Sequence, residues 1–182
     1  MVATSLGLSL FSGAAQAATP PPGHIKAPQA TAYGTIGNYH SGKCLDDTNG
    51  SGSNGTQMQQ WTCLYNANQN WRVRYFVDLS GTYADNIQVE KSGKCLDLAG
   101  GSSANGAWVI QYSCNTSDDA QLWYPIQTNI SGWYNFQNAA SGTCMTVSAD
   151  SQSNGAKIQG WSCTTADEDH AYFWEPHFDI IG

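Results

Sequence analysis

From Gly34 onward, apolar and polar residues alternate in short runs and never settle into helical spacing. Thr35-Ile36-Gly37-Asn38-Tyr39, Asn70-Trp71-Arg72-Val73, Asn86-Ile87-Gln88-Val89, Ala107-Trp108-Val109-Ile110 and Trp133-Tyr134-Asn135-Phe136 read as strands. A period of two sends successive side chains to opposite faces of a sheet, the signature of a half-buried strand. Clusters of Gly, Ser, Asn and Asp separate the runs. Many short strands with regularly spaced turn signals predict an all-β barrel or sandwich.

The runs belong to a repeat of about 50 residues, and repeats govern architecture. Cys44-Leu45-Asp46, Cys95-Leu96-Asp97 and Cys144-Met145-Thr146 each open a unit. Cys63, Cys114 and Cys163 follow at a constant distance of 19 positions. Asn54-Gly55, Asn105-Gly106 and Asn154-Gly155 fall at one place in each unit, and the pair fits a two-residue hairpin turn with positive φ at both residues. Trp61, Tyr112 and Trp161 stand two residues before the second Cys, and Trp71, Trp123 and Trp174 stand after it. A 50-residue unit buries too little surface to stand alone, so the three units are expected to share one core.

Composition narrows the chemistry. The 182 residues carry 7 Lys and Arg against 14 Asp and Glu, with 7 Trp and 9 Tyr. A net charge of −7 argues against a nucleic-acid partner, which calls for clustered cations. Aromatic and amide groups on a weakly charged surface suit a neutral polar ligand. The six Cys lack the close pairs with His partners that metal sites use, so a disulfide within each unit is the better reading. Each bridge closes a loop of about 20 residues, worth roughly 3 kcal/mol in the chain-entropy model, and implies an oxidising compartment. Residues 2–17, with Leu6 to Phe11 at the centre and Ala15-Gln16-Ala17 at the end, resemble a signal peptide cleaved after Ala17. No Lys or Arg precedes the apolar run, so either the start lies further upstream or the signal is unusual. The run is too short and interrupted for a confident membrane span, and no membrane insertion is expected. Residues 18–33, with Pro20-Pro21-Pro22, read as a linker or flexible N-terminus.

Ser-Gly-Lys-Cys-Leu-Asp at 41–46 and again at 92–97, Gln59-Gln60-Trp61-Thr62-Cys63, Asn68-Gln69-Asn70-Trp71 and Gln121-Leu122-Trp123 resemble the ricin-type β-trefoil family of lectins and carbohydrate-binding modules. The resemblance covers residues 34–182, with units α (34–82), β (83–131) and γ (132–182). It implies three four-stranded units about a pseudo-threefold axis, with the Gln-x-Trp tryptophans in the shared core. It also implies one shallow sugar site per unit. There the Asp after Cys-Leu accepts sugar hydroxyls, the aromatic before the second Cys stacks on the ring, and the Asn before Gln-x-Trp binds a further hydroxyl. The Gln mainly orients the Asp.

This set suits a sugar. A flat aromatic matches the C–H face of a pyranose, a carboxylate accepts hydroxyl protons strongly, and an amide both donates and accepts. The first unit holds the full set: Asp46, Gln59, Trp61, Asn68 and Gln69. The second keeps Asp97, Tyr112 and Gln121, but has Ala120 for the Asn and Ile110 for Gln59; Asn115 is placed in sequence to supply the missing amide. The third keeps Trp161 and Gln159 but has Thr146, Ala171 and Tyr172 in place of Asp, Asn and Gln, which reads as retained framework and a lost site.

Structural readings stay open beside these. Asp46 and Asp97 can serve local backbone N–H groups. Trp61 can be partly buried packing, and Gln69 and Gln121 can be structural alone. Asp167-Glu168-Asp169-His170, with Glu175 and His177, fits no metal spacing and reads as a solvated loop. Neither His24 nor His40 has a visible triad partner. Asn54, Asn115 and Asn129 open glycosylation sequons. The expectation is a secreted, non-catalytic domain that binds galactose- or xylose-type glycans weakly and multivalently, without a cofactor and with its oligomeric state open. The alternatives are a β-trefoil protease inhibitor and, less favoured, a small glycosidase.

Overall fold

The computed structural model describes residues 32–77, 83–164 and 172–176, with the side chains at 75–77, 83 and 173–176 left aside. The signal-peptide and linker segments, the 167–170 acidic stretch, Ala171, His177 and the Trp174 side chain fall outside the described parts.

Six strands close a barrel. They are β1 (Gly34–Asn38), β5 (Trp71–Val77), β6 (Tyr83–Val89), β9 (Trp123–Gln127), β10 (Tyr134–Asn138) and β13 (Tyr172–Pro176). The first strand pairs with the last over five residues, Gly34↔Pro176 to Asn38↔Tyr172. The long β5–β6 and β9–β10 ladders continue the wall. Single pairings at Tyr134↔Tyr172, Asp85↔Trp123 and Gly34↔Trp71 complete the ring. Closure leaves no free barrel edge.

The remaining strands form three hairpins over one end: β2 (Cys44–Asp46) with β4 (Gln59–Trp61), β7 (Cys95–Leu98) with β8 (Ala107–Tyr112), and β11 (Cys144–Val147) with β12 (Ile158–Trp161). A short β3 (Thr56–Gln57) joins the first hairpin to β8, β12 joins β8, and a bridge Gln59↔Lys157 returns from the third hairpin to the first. This is the β-trefoil that the resemblance implies, with thirteen strands among the described residues where twelve were expected because a break at Met58 separates β3 from β4.

Every unit gives the same positions to the core. Ile36, Ile87 and Phe136 from the barrel strands meet Leu45, Leu96 and Met145 from the hairpins, with Trp71 and Trp123 fully buried among them. The disulfides Cys44–Cys63, Cys95–Cys114 and Cys144–Cys163 are formed within units as expected.

The Asn-Gly turns differ from expectation. Only Gly55, Gly106 and Gly155 have positive φ, at 80°, 89° and 82°; their Asn partners do not. Ala107 N–H donates to the Ala104 carbonyl across one such turn, the pattern of a type II turn with Gly in its third place. The reason is visible in the side chains. Asn154 Oδ1 accepts from Thr62 N–H at 2.9 Å, Asn105 Oδ1 accepts from Ser162 N–H at 2.8 Å, and Asn54 Oδ1 accepts from the Ser113 hydroxyl at 3.2 Å. Each Asn therefore serves the next unit round the axis, and each turn locks two units together.

Candidate functional site

Register builds the sites. In each hairpin the residue after Cys-Leu or Cys-Met faces the position two before the aromatic: Asp46↔Gln59, Asp97↔Ile110 and Thr146↔Gln159. The Cys itself faces the aromatic, as Cys44↔Trp61, Cys95↔Tyr112 and Cys144↔Trp161. The aromatics stand out from the surface: Trp61 is 38% exposed, Tyr112 46% and Trp161 43%. Trp61 is thus part exposed, with its ring edge 3.8 Å from the Cβ position of Gly155 in the third unit.

In the first unit Asp46 is buried, and both carboxylate oxygens are held by amides. Gln59 Nε2 donates to Oδ1 at 2.8 Å, and Gln69 Nε2 donates to Oδ2 at 3.0 Å. Gln69 also donates to the Thr62 carbonyl and accepts from Leu64 N–H at 2.6 Å, so it ties the 62–69 loop to the carboxylate. Two residues on, Trp71 Nε1 donates to the Leu45 carbonyl at 3.0 Å. The Gln-x-Trp motif therefore grips consecutive residues, Leu45 by its backbone and Asp46 by its side chain. Burial raises the Asp46 pKa above its usual value, opposed by the hydrogen bonds from Gln59 and Gln69. Asn68 lies over Gly50, where φ is +59° and an added Cβ would come within 2.8 Å of Asn68 Oδ1. Glycine there makes room for the Asn68 side chain.

The second unit repeats the grip with one amide fewer. Gln121 Nε2 donates to Asp97 Oδ2 at 3.0 Å, Gln121 Oε1 accepts from Asn115 N–H at 2.8 Å, and Trp123 Nε1 donates to the Leu96 carbonyl. An open cleft of about 450 Å³ lies above, bounded by Asp97, Ile110, Tyr112, Asp118, Asp119 and Ala140. Asn115 does not line it: its side chain accepts from Ser117 N–H at 3.1 Å in a local turn. The expected replacement amide is therefore absent from the cleft wall, and Asp118 and Asp119 stand there instead. The sequence signal for them was an acidic pair separated from the Gln-x-Trp motif only by Ala120. Burial raises the Asp97 pKa, the Gln121 hydrogen bond lowers it, and the Asp118 charge raises it further. Asp118 also caps the short turn Asp119–Gln121 by accepting from Ala120 N–H at 3.0 Å.

The third unit lacks this machinery at Thr146, which is buried with a hydroxyl in place of a carboxylate. Its Gln-x-Trp position is occupied by Tyr172, also buried. Sequence reasoning also gave Asp47 no structural part. This residue is fully buried, with neither carboxylate oxygen hydrogen-bonded, where the other units bury Leu98 and Val147 in the core. Burial, then the neighbouring Asp46 charge, push its pKa up to about 7, against the pull of Lys91. Among the described residues no group of three or more His, Cys, Asp or Glu is placed to hold a metal ion.

The chain is similar to several known proteins over this region. It is 30% identical over 91 residues to Nigrin b of Sambucus nigra, a stretch that is 49% of this chain and 14% of that protein. The chain thus spans about a seventh of that relative's length. Among solved structures, the designed threefold-symmetric protein ThreeFoil matches with a TM-score of 0.70 and 32% identity, over 78% of this chain and 96% of that one. The exo-β-1,3-galactanase 1,3Gal43A of Clostridium thermocellum matches with a TM-score of 0.73 and 28% identity, over 84% of this chain and 32% of that one. The family model for the ricin-type beta-trefoil lectin domain matches residues 32–172. With the trefoil, the three disulfides and the Gln-x-Trp grip in place, the chain belongs to the ricin-type β-trefoil lectin domain family.

Proposed function

We propose that this is a secreted, non-catalytic glycan-binding domain that uses the first and second units to hold galactose- or xylose-type sugars. One observation carries the reading. The Asp46 carboxylate is held on both oxygens by Gln59 and Gln69 beside the exposed ring of Trp61. A preorganised acceptor next to an aromatic face meets a sugar's hydroxyl rim and C–H face together. The galactanase likeness supports a galactose-type ligand, since that enzyme is an exo-β-1,3-galactanase. The three disulfides support an exported protein. Titration calorimetry with galactose, xylose and their oligosaccharides tests the reading. Binding with Kd on the order of 0.1–1 mM is expected, corresponding to about −4 to −5.5 kcal/mol, and Asp46→Ala removes the first-unit component. A glycan array blank at high protein concentration would sink it.

The acidic wall of the second cleft refines the specificity. Asp97, Asp118 and Asp119 face one space, so uronic or sialic acids are repelled there and neutral sugars are not. Hydrolysis needs two carboxyls flanking one bond. Sugar release by the purified protein that vanishes in Asp97→Asn would overturn the non-catalytic part of the reading.

A further inference from the structure

The third unit is not simply a blank copy. Losing the carboxylate at Thr146 changes what its partner does. In the first unit the Gln59 amide is committed to Asp46, whereas the equivalent Gln159 faces Thr146 and, among the described residues, its amide makes no side-chain hydrogen bond. It is half-buried, and its Oε1 lies 3.9 Å from the Cβ position of Gly106. A free amide offers two donors and an acceptor to a ligand.

Two exposed indoles flank it. Trp161 lies two residues along the same strand, hence on the same face. Trp108, 56% exposed, is the direct cross-strand partner of Gln159 in the β8–β12 ladder. Directly opposed residues share a face, with Cβ atoms about 4.5–5.5 Å apart and diagonal neighbours about 7–8 Å apart. Trp108, Gln159 and Trp161 therefore form one outward row across the seam between the second and third units. The position of Trp108 is Gln57 in the first unit and Lys157 in the third, so the corresponding rows are Lys157–Gln59–Trp61 and Gln57–Ile110–Tyr112. Only the third row carries two tryptophans.

The end of the third unit that corresponds to the open end of the second cleft carries larger side chains. In the second unit that end is lined by Gly101 and Ala140, small residues that leave it open. Their equivalents in the third are Asp150 and His40, whose Oδ1 and Nε2 atoms lie 3.2 Å apart, with Gln152 beside the imidazole. A ligand on this unit is thereby directed away from the 148–150 turn and over the tryptophan row.

We propose that Trp108, Gln159 and Trp161 form a carboxylate-free platform for an extended neutral polysaccharide, with two successive sugar rings stacked on the indoles and a hydroxyl bonded to the Gln159 amide. The platform side chains are uncharged, which matches an uncharged chain, and two spaced rings match a polymer rather than a single sugar. The platform continues the ring of clefts round the same axis. The inference rests on the carbohydrate-binding reading but not on the carboxylates that serve the first two units.

The test uses the full chain with Asp46→Ala and Asp97→Ala combined, titrated with cellohexaose and xylohexaose by calorimetry and tryptophan fluorescence. This variant should lose monosaccharide binding yet keep binding a hexaose with a change in indole emission. Adding Trp108→Gln, which installs the residue the first unit carries, should weaken the hexaose about tenfold or more, while Trp108→Phe retains most of it. In the wild-type background Trp108→Gln should leave galactose and xylose affinities unchanged. Circular dichroism and Tm check that each variant is folded. If the wild type binds hexaoses and the double Asp variant binds none, the platform falls and the main reading stands. Hexaose affinity within twofold after Trp108→Gln also overturns it. A wild type that binds no saccharide overturns both.

Discussion

Asp46 and Asp47 are neighbours in the chain with opposite fates. Asp46 is buried with two amide partners beside the exposed Trp61, while Asp47 turns inward to a place where the other units put Leu98 and Val147. A buried carboxyl with no partner disfavours its charged form. With a folded pKa of about 7 against 3.8 for the free group, the native state holds more protons than the unfolded state between those values. Stability is therefore greatest at the acidic end of that window and falls as pH rises through it, by up to about 4 kcal/mol at 1.36 kcal/mol per pH unit. Asp85, also raised to about 7 by burial, adds a loss of the same sign. Asp47→Leu should thus raise Tm at pH 8 by about 5 °C or more and remove part of the decline between pH 4 and 7. An unchanged Tm at pH 8 would mean that Asp47 finds a partner in solution. On the proposed function, sugar binding has the opposite dependence, because Asp46 accepts hydroxyl protons best when ionised. Its raised pKa means that first-unit affinity should begin to fall at a pH above 3.8 on acidification, measurable by calorimetry across a pH series.

At the scale of elements, much was legible because the repeat supplied three readings of each position. Cys pairing, the buried Trp71 and Trp123, and the facing of Asp46 by Gln59 all follow from fixed spacing, and spacing survives folding. Sequence reasoning failed where a side chain chose between local and distant partners. Asn115 was as well placed in sequence as an amide can be, but Ser117 N–H lies two residues away and captures it. The Asn-Gly turns failed for the converse reason, since Asn105 and Asn154 reach another unit and the turn adopts the type that points them there. Strand alternation sends Asp46 and Asp47 to opposite sides, but a Cys-Leu-Asp-Asp string does not say that the second carboxyl is buried without a hydrogen-bond partner. The turn assignment has a measurable consequence. Asn154→Ala removes the acceptor for Thr62 N–H and Oγ1 at the seam between the third and first units. The loss should be about 1 kcal/mol, or 2–4 °C in Tm, with the disulfides intact. A Tm unchanged within error would show that water replaces the Asn there.

The whole molecule sets sites of unequal strength round one axis on a rigid closed barrel. On the proposed function, clefts in different units cannot share one short oligosaccharide, so each would bind a free sugar independently. A branched polymer or a glycan-coated surface can meet two clefts at once, and the second contact is then made at a high effective concentration. The increase in affinity from monosaccharide to immobilised glycan should therefore be about 100-fold or more with no new contact at either site. Asp46→Ala separates this account from simple additivity. Loss of one of two independent sites removes its share of the monosaccharide capacity and leaves the Kd of the other unaltered. Loss of bridging between the first two clefts also removes most of the gain on the immobilised glycan. Calorimetry with galactose beside surface plasmon resonance on a dense galactan layer measures both quantities on the same protein. A variant that keeps its full surface affinity would show that one cleft does the binding and that threefold symmetry contributes only to the fold.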